Sequence, residues 1–214
     1  MKLYQVDRVL VHEQVYNTLK EAILNGDIKP GEKMTQEELA SRFGLSRMPI
    51  RDALRLLEID KLVISIPNKG FAVAEFGKEE LQDTFFLRSI LEREAVKLAV
   101  PKLQANIAEI KRLLENMNSN LAEKDFRKLT KLNSEFHYAI YRESGSNRLF
   151  QMISSLWNSF PRYAMFSAKD QATRSQAEHQ FIFAAIKAGD AELAGTLMER
   201  HILQAGKAYT FKIK

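Results

Sequence analysis

A mainly α fold in two parts is what this 214-residue sequence predicts: a small helical head carrying one β-hairpin, then an all-α bundle of about six helices. Three observations predict it. Apolar residues recur at helical spacing over most of the chain. A single stretch, LVISIPNKGFAVAEF, switches to strand-like patterning around a Pro-Asn-Lys-Gly turn. Glycines and prolines punctuate the remaining helical segments at intervals that suit short connections. The boundaries read as residues 1–74 for the head and 78–214 for the bundle.

In the head, the first helix runs from Val11 to Leu24 and ends at Gly26 and Pro30-Gly31. Thr35 caps a short second helix, with Glu38 three residues on as its capping-box partner. That helix stops near Phe43-Gly44. Ser46 caps the third helix, with Pro49 inside the first turn, where a missing N–H costs little. Leu62 to Ile66 and Phe71 to Val73 are the hairpin strands. In the bundle, Lys78–Ala99, Leu103–Glu123, Phe126–Glu143, Asn147–Phe160, Ala168–Ala188 and Ala191–Tyr209 carry helical spacing. Their breaks are Pro101, Asp125, Ser144-Gly145-Ser146, Pro161 and Gly189-Asp190. At the last break a glycine that ends one helix directly precedes an aspartate that begins the next, which predicts a tight antiparallel pair.

Composition narrows the class. Apolar residues make up 45% and charged residues 28%, enough for a packed core. The absence of cysteine excludes a disulfide framework or thiolate metal site and suits a reducing cytoplasm. Charges interrupt the N-terminal segment too often for a signal peptide, and no 18-residue apolar run follows, so no membrane partner is expected. The net charge of +5 is weak evidence for nucleic acid, because residues 1–77 hold 11 basic and 11 acidic side chains. Within residues 42–69, however, six basic residues face three acidic ones, and phosphate contacts answer to local charge.

That local charge sits on LSRMPIRDALRLLE, residues 45–58. Helix, four-residue turn, helix and hairpin together form the winged helix-turn-helix arrangement, whose second helix enters the major groove with its N-terminal end. Arg47 and Arg51 share one face at that end, and Arg55 continues the stripe toward the DNA backbone. Ala53, Leu54, Leu56 and Leu57 are the buried side. A cap at Ser46 leaves first-turn amides for a phosphate, and the arginine fork suits guanine O6/N7 or phosphate. Lys69 at the hairpin tip reaches the minor groove or the backbone.

The run IKPGEKMTQEELASRFGLSRMPIRDALRLLEIDKLVISIPNKGFAV resembles the DNA-binding domain of GntR-family transcription regulators over some sixty residues from Val11 to Val73. The resemblance implies that Arg47 and Arg51 carry recognition, assisted by Arg42 and the Lys69-Gly70 wing tip, with Ser46, Met48 and Arg55 also facing DNA. It implies a homodimer on a palindromic double-stranded operator. One departure is Lys61, where the family usually has glycine; if that position needs a positive φ, lysine costs local strain.

Four histidines are present, and three fall in the bundle: His137, His179 and His201. His12 lies in the first helix and reads as a surface residue. Asn133 and His137 are four apart in LNSEFHYAI, hence on one helix face. His179 and His201 are nearly equidistant from the Gly189-Asp190 turn, so an antiparallel pair brings them level. Three imidazoles and an amide oxygen can then converge inside the bundle; taken singly, a histidine on an apolar face is more often a core residue with its hydrogen bonds satisfied.

RSILEREAVKLA, NSEFH, Ser144-Gly145-Ser146-Asn147, EHQFIFAAIKAGD and MERHI are similar to the effector domain of the FadR subfamily, called FCD. In its metal-binding members an aspartate four residues before a histidine and two later histidines are the ligands, which map onto Asn133, His137, His179 and His201. Asparagine at the first position adds no negative charge. A divalent ion here would keep its full +2 and favour an anion, which points to a small carboxylate effector with Arg88 as second anchor and Asn147 beside it. Three nitrogens and one oxygen suit zinc or nickel better than manganese.

The leading expectation is a ligand-responsive transcription regulator, a repressor by default because an operator-bound dimer blocks polymerase. One rival is a metal-dependent hydrolytic enzyme, which needs a general base beside metal-bound water. Its candidates, Glu135 and Glu178, are both badly aimed by helical geometry. The other rival is a ligand-independent DNA-binding scaffold with structural histidines.

Overall fold

The computed structural model describes residues 10–67, 69–75, 77–160 and 169–210. Asn68 of the hairpin turn, the break at Pro161 and the helix start at Ala168 lie outside them. The chain divides into two compact units, Met1–Glu75 and Phe76–Lys214.

The first unit comprises α1 (Val11–Leu24), β1 (Lys33–Met34), α2 (Gln36–Phe43), α3 (Arg47–Ile59), β2 (Val63–Ile66) and β3 (Gly70–Val73). Its sheet has the order β1-β3-β2, antiparallel throughout, with Lys33 opposite Ala72 and Ile66 opposite Gly70. β1 was not expected; two residues are too short to show a period. Val15, Leu19 and Ile23 of α1 are buried, as are Ile50, Ala53, Leu54 and Leu57 of α3. Leu56, expected on the buried side, is only half-buried, while Ile50 joins the buried face. At the wing tip Gly70 has φ +88, and a Cβ there would lie 2.7 Å from the Met34 carbonyl oxygen, so only glycine fits.

The Thr35 hydroxyl accepts from the Glu38 amide at 3.1 Å, the N-cap half of the capping box, while the Glu38 carboxylate pairs with Arg42 at 2.8 Å. Ser46 differs: its backbone is extended like a cap, but its hydroxyl makes no cap bond. At the other end, α3 is closed by the Leu62 amide donating to the Leu57 carbonyl and the Lys61 amide to the Glu58 carbonyl. That pairing puts Lys61 at φ 59, the left-handed region glycine prefers.

The second unit comprises α4 (Lys78–Ala105), α5 (Ala108–Glu123), α6 (Phe126–Arg142), α7 (Asn147–Trp157), α8 (Lys169–Ala188) and α9 (Ala191–Thr210). Pro101 does not end α4, contrary to expectation. Ala95, Val96, Ala99, Val100 and Leu103 are buried on both sides of it, and that burial outweighs the lost hydrogen bond. α4 and α9 are held close at Gly206, where a Cβ would stand 2.7 Å from Phe85, and at the ion pairs Arg93–Glu199 (2.8 Å) and Lys97–Glu192 (2.7 Å). Between α8 and α9, Gly189 adopts φ 77 and Asp190 Oδ1 accepts from the Leu193 amide at 3.0 Å. The tight turn is therefore built as expected. No described helix is long and apolar enough to cross a membrane.

Lys61→Gly should stabilise the first unit by about 0.5–1 kcal/mol, the relief of left-handed strain exceeding the added chain entropy of glycine. Urea unfolding followed on the full chain checks it; an unchanged or lowered midpoint contradicts the strain at Lys61.

Candidate functional site

Two groups of side chains stand out, one in each unit. In the first unit the exposed residues of α3 form a single face. Arg47 pairs with Glu37 at 2.6 Å, Arg51 lies 3.8 Å from Asp52, and Arg55 is exposed. Arg42 at the end of α2 pairs with Glu38 at 2.8 Å. These ion pairs are solvent-exposed and worth little, so a phosphate or base edge displaces them cheaply. Met48, between Arg47 and Arg51, is 65% exposed, an unusual setting for a large apolar side chain in the first turn of a helix. Ser46 and Lys69 are also exposed.

In the second unit His137 on α6, His179 on α8 and His201 on α9 meet, all buried. His179 Nε2 lies 3.3 Å from His137 Nε2 and 3.2 Å from His201 Nε2. The two later histidines come level across the antiparallel pair because they are nearly equidistant from its turn. Burial first, then the neighbouring His179 and His201, hold His137 well below the usual imidazole value of 6.5; burial and His201 do the same to His179.

Which nitrogens carry protons follows from the outer partners. His201 Nδ1 lies 2.7 Å from Glu178 Oε2, so it donates to a carboxylate. His137 Nδ1 lies 2.7 Å from the Tyr141 hydroxyl, whose own proton goes to Glu92. The tyrosine oxygen therefore accepts from His137. His179 Nδ1 faces Gln176 Oε1 at 3.4 Å, and the Gln176 amide nitrogen donates to Leu114 O (3.1 Å) and Asn118 Oδ1 (2.9 Å), which turns its oxygen toward the imidazole. These outer acceptors favour the Nδ1–H tautomer of each ring, which leaves a bare lone pair on Nε2. Three lone pairs aimed at one another repel. A cation among them removes the repulsion, and an Nδ1–H held from outside is the usual arrangement of a metal-binding histidine.

Asn133 completes this side of α6. It is 1% exposed, one turn before His137, and neither its Oδ1 nor its Nδ2 has a hydrogen-bond partner. A buried, unpartnered amide costs free energy unless something binds it. The donor set present therefore fits a divalent cation: three imidazole nitrogens and an amide oxygen in want of a partner.

Arg88 of α4 is wholly buried beside this arrangement. Its Nε donates to Glu92 Oε1 at 2.6 Å, and its guanidinium lies over the Trp157 ring at 4.1 Å and near Phe85 and Phe160. Both Nη atoms lack a partner. Glu92 also accepts from Trp157 Nε1 at 2.8 Å. One carboxylate thus connects Arg88 to Tyr141 and on to His137. Asn147, by contrast, is the exposed first residue of α7, and no described contact brings it to the cluster.

Glu135 is exposed, 3.9 Å from Lys131, and contacts no imidazole. Glu178 is turned away from the cluster centre, as helical geometry predicts, and reaches across to His201 on the next helix, at the nitrogen facing away from the other rings. Neither carboxylate faces the Nε2 atoms. Glu92, Tyr141, Trp157 and Gln176 had no sequence signal as a set, because their bonds join residues far apart in the chain.

Residues 11–73 match the family described as bacterial regulatory proteins, gntR family, and residues 83–204 match the FCD domain. The HTH-type transcriptional regulator McbR of Escherichia coli is 34% identical, covering 84% of this chain and 83% of that protein. The HTH-type transcriptional repressor GlaR of the same organism is 30% identical, covering 88% of this chain and 90% of that one. The solved structure of E. coli McbR/YncC superposes with a TM-score of 0.84 at 30% identity, covering 96% of this chain and 99% of that chain. The chain belongs to the GntR family of bacterial regulatory proteins and carries an FCD domain. It is a DNA-binding transcription regulator and not an enzyme.

In metal-free protein, His137 and His179 stay neutral in the fold and take up protons on unfolding. Their contribution to stability is complete above about pH 6.5 and is lost as pH falls below it toward the depressed folded-state values, by up to about 1.4 kcal/mol per pH unit for each. Urea unfolding at pH 7.5 and 5.5 should show this loss, and His137→Gln should reduce it. Equal stability at both values contradicts the neutral pair.

Proposed function

We propose that this GntR-family regulator is a repressor that grips a palindromic operator as a homodimer and is controlled by a small carboxylate bound at a divalent metal in the FCD domain. Its placement would be the cytoplasm, with the DNA. Arg47 and Arg51 read base edges from the start of α3, and Arg42, Ser46, Arg55, Lys69 and Gly70 hold the phosphate backbone. Met48 meets the one apolar feature of the major groove, the thymine methyl group. The naming of GlaR as a repressor supports the sign of the response.

The observation that carries the effector reading is the three Nε2 lone pairs facing one another with every Nδ1 committed outward. His137, His179, His201 and Asn133 would hold the ion, with zinc or nickel suited to this donor set. When bound, the ion supplies a Lewis-acidic contact for a carboxylate oxygen. The protein's own anion anchor is Arg88, whose two unpartnered Nη atoms suit a bidentate carboxylate in a dry aromatic setting. A carboxylate there answers a buried cation otherwise only partly paired. Binding that favours one arrangement of the two DNA-binding heads over another then changes operator affinity, a coupling between two sites.

The test has two arms. After exhaustive chelation, zinc titrated by calorimetry should bind at one site per chain, with no such heat from His137→Ala. Operator-shift assays with a panel of small carboxylates should then show release by at least one of them, lost in Arg88→Met. A response to none marks a ligand-independent scaffold. Replacing both Arg47 and Arg51 by alanine should weaken specific operator binding by about 2 kcal/mol or more, roughly 30-fold. Unchanged affinity in that variant means another element enters the groove.

A further inference from the structure

Asn133 brings an amide where a carboxylate would bring charge, so the ligand atoms proposed above are all neutral. Four neutral ligands hold a divalent ion less firmly than a set that includes an anion, because the charge removed from water is not offset. Two carboxylates nevertheless stand one step behind the imidazoles, and their surroundings differ.

Glu92 is reached from His137 through the Tyr141 hydroxyl and is wholly buried. Its charge is already answered by Arg88 Nε at 2.6 Å and by the Trp157 N–H at 2.8 Å. As a pair, Arg88 and Glu92 add no net charge to the site. Glu178 is different. Its Oε2 lies 2.7 Å from His201 Nδ1 with no atom between, and its side chain is 16% exposed. Among the described residues no lysine or arginine nitrogen forms an ion pair with it. The Gln204 amide, oriented with its nitrogen toward Glu178, donates to the second oxygen and holds the carboxylate on the imidazole. A carboxylate in direct contact with Nδ1–H draws that proton toward itself, makes Nε2 a stronger donor and fixes the ring.

We propose that Glu178 is a positioning residue of the metal centre, supplying through His201 the negative charge that Asn133 does not. This inference rests on the reading of the histidine cluster as a metal site. It orders the ligands by donor strength. His201, backed directly by a carboxylate at 2.7 Å, leads His137, backed by a tyrosine, and His179, backed by a neutral amide at 3.4 Å. It also explains a glutamate turned onto the outer side of the cluster, where no enzymatic role needs it.

The experiment measures zinc affinity on chelated full-length protein by competition with a chromophoric chelator. Glu178→Gln, which keeps the shape and removes the charge, should bind zinc 10- to 100-fold more weakly. Asn133→Asp in that same background should restore affinity to within a few-fold of the parent, because the lost charge is returned at a ligand position. The metal-free Glu178→Gln protein should melt at the parent temperature, which separates charge from folding. Unchanged affinity in Glu178→Gln overturns the proposal. A loss that Asn133→Asp does not recover overturns it too, since the role would then be one of shape. Parent protein that takes up no zinc, or His137→Ala protein that takes it up equally well, overturns the metal-centre reading and this proposal with it.

Discussion

Three imidazole lone pairs pointed at one another inside a helical bundle repel, and everything around them in the second unit keeps them there. His137, His179 and His201 come from three different helices, yet their Nε2 atoms sit 3.2–3.3 Å from that of His179. Each ring could relieve the conflict by moving its proton inward, and each is prevented by an acceptor on the outside. Glu178, Tyr141 and the Gln176 oxygen do that work from three directions. Three outward hydrogen bonds thus maintain a centre in which a cation would relieve the repulsion.

The same hydrogen bonds tie the centre to a buried cation nearby. Arg88, Glu92, Tyr141 and His137 form a continuous chain from α4 to α6, and Trp157 of α7 adds its N–H to Glu92. A carboxylate arriving between an ion and the two free Nη atoms of Arg88 would therefore meet elements on several helices at once. Such shared contacts let a small ligand bias the arrangement of a whole bundle.

Much of this was legible in the sequence, for local reasons. Helix bounds such as Val11–Leu24, the Thr35–Glu38 box and the Gly189-Asp190 turn are set by periodicity and cap chemistry within a few residues. The meeting of His179 and His201 follows from counting outward from that turn. The lysine at position 61 does adopt the positive φ that its neighbours demand. What was not legible depends on distant partners. Pro101 reads as a break until the burial on either side of it is known, and β1 needs β3 to exist at all. Glu92 meets Tyr141 and Trp157 across 49 and 65 positions, beyond any helical spacing. Helical spacing turns Glu178 away from His179, but its contact with His201 Nδ1 depends on the next helix and is invisible in local sequence.

Where the imidazole protons sit can be read directly by nitrogen NMR. Long-range ¹H–¹⁵N spectra of the metal-free protein, with ¹⁵N-labelled histidine at neutral pH, distinguish the two neutral tautomers ring by ring. His137, His179 and His201 should all carry their proton on Nδ1, leaving three unprotonated Nε2 atoms, while His12 serves as an internal reference outside the cluster. A proton found on the Nε2 of any of the three would mean that the rings satisfy one another and that the cluster is not held open for a cation.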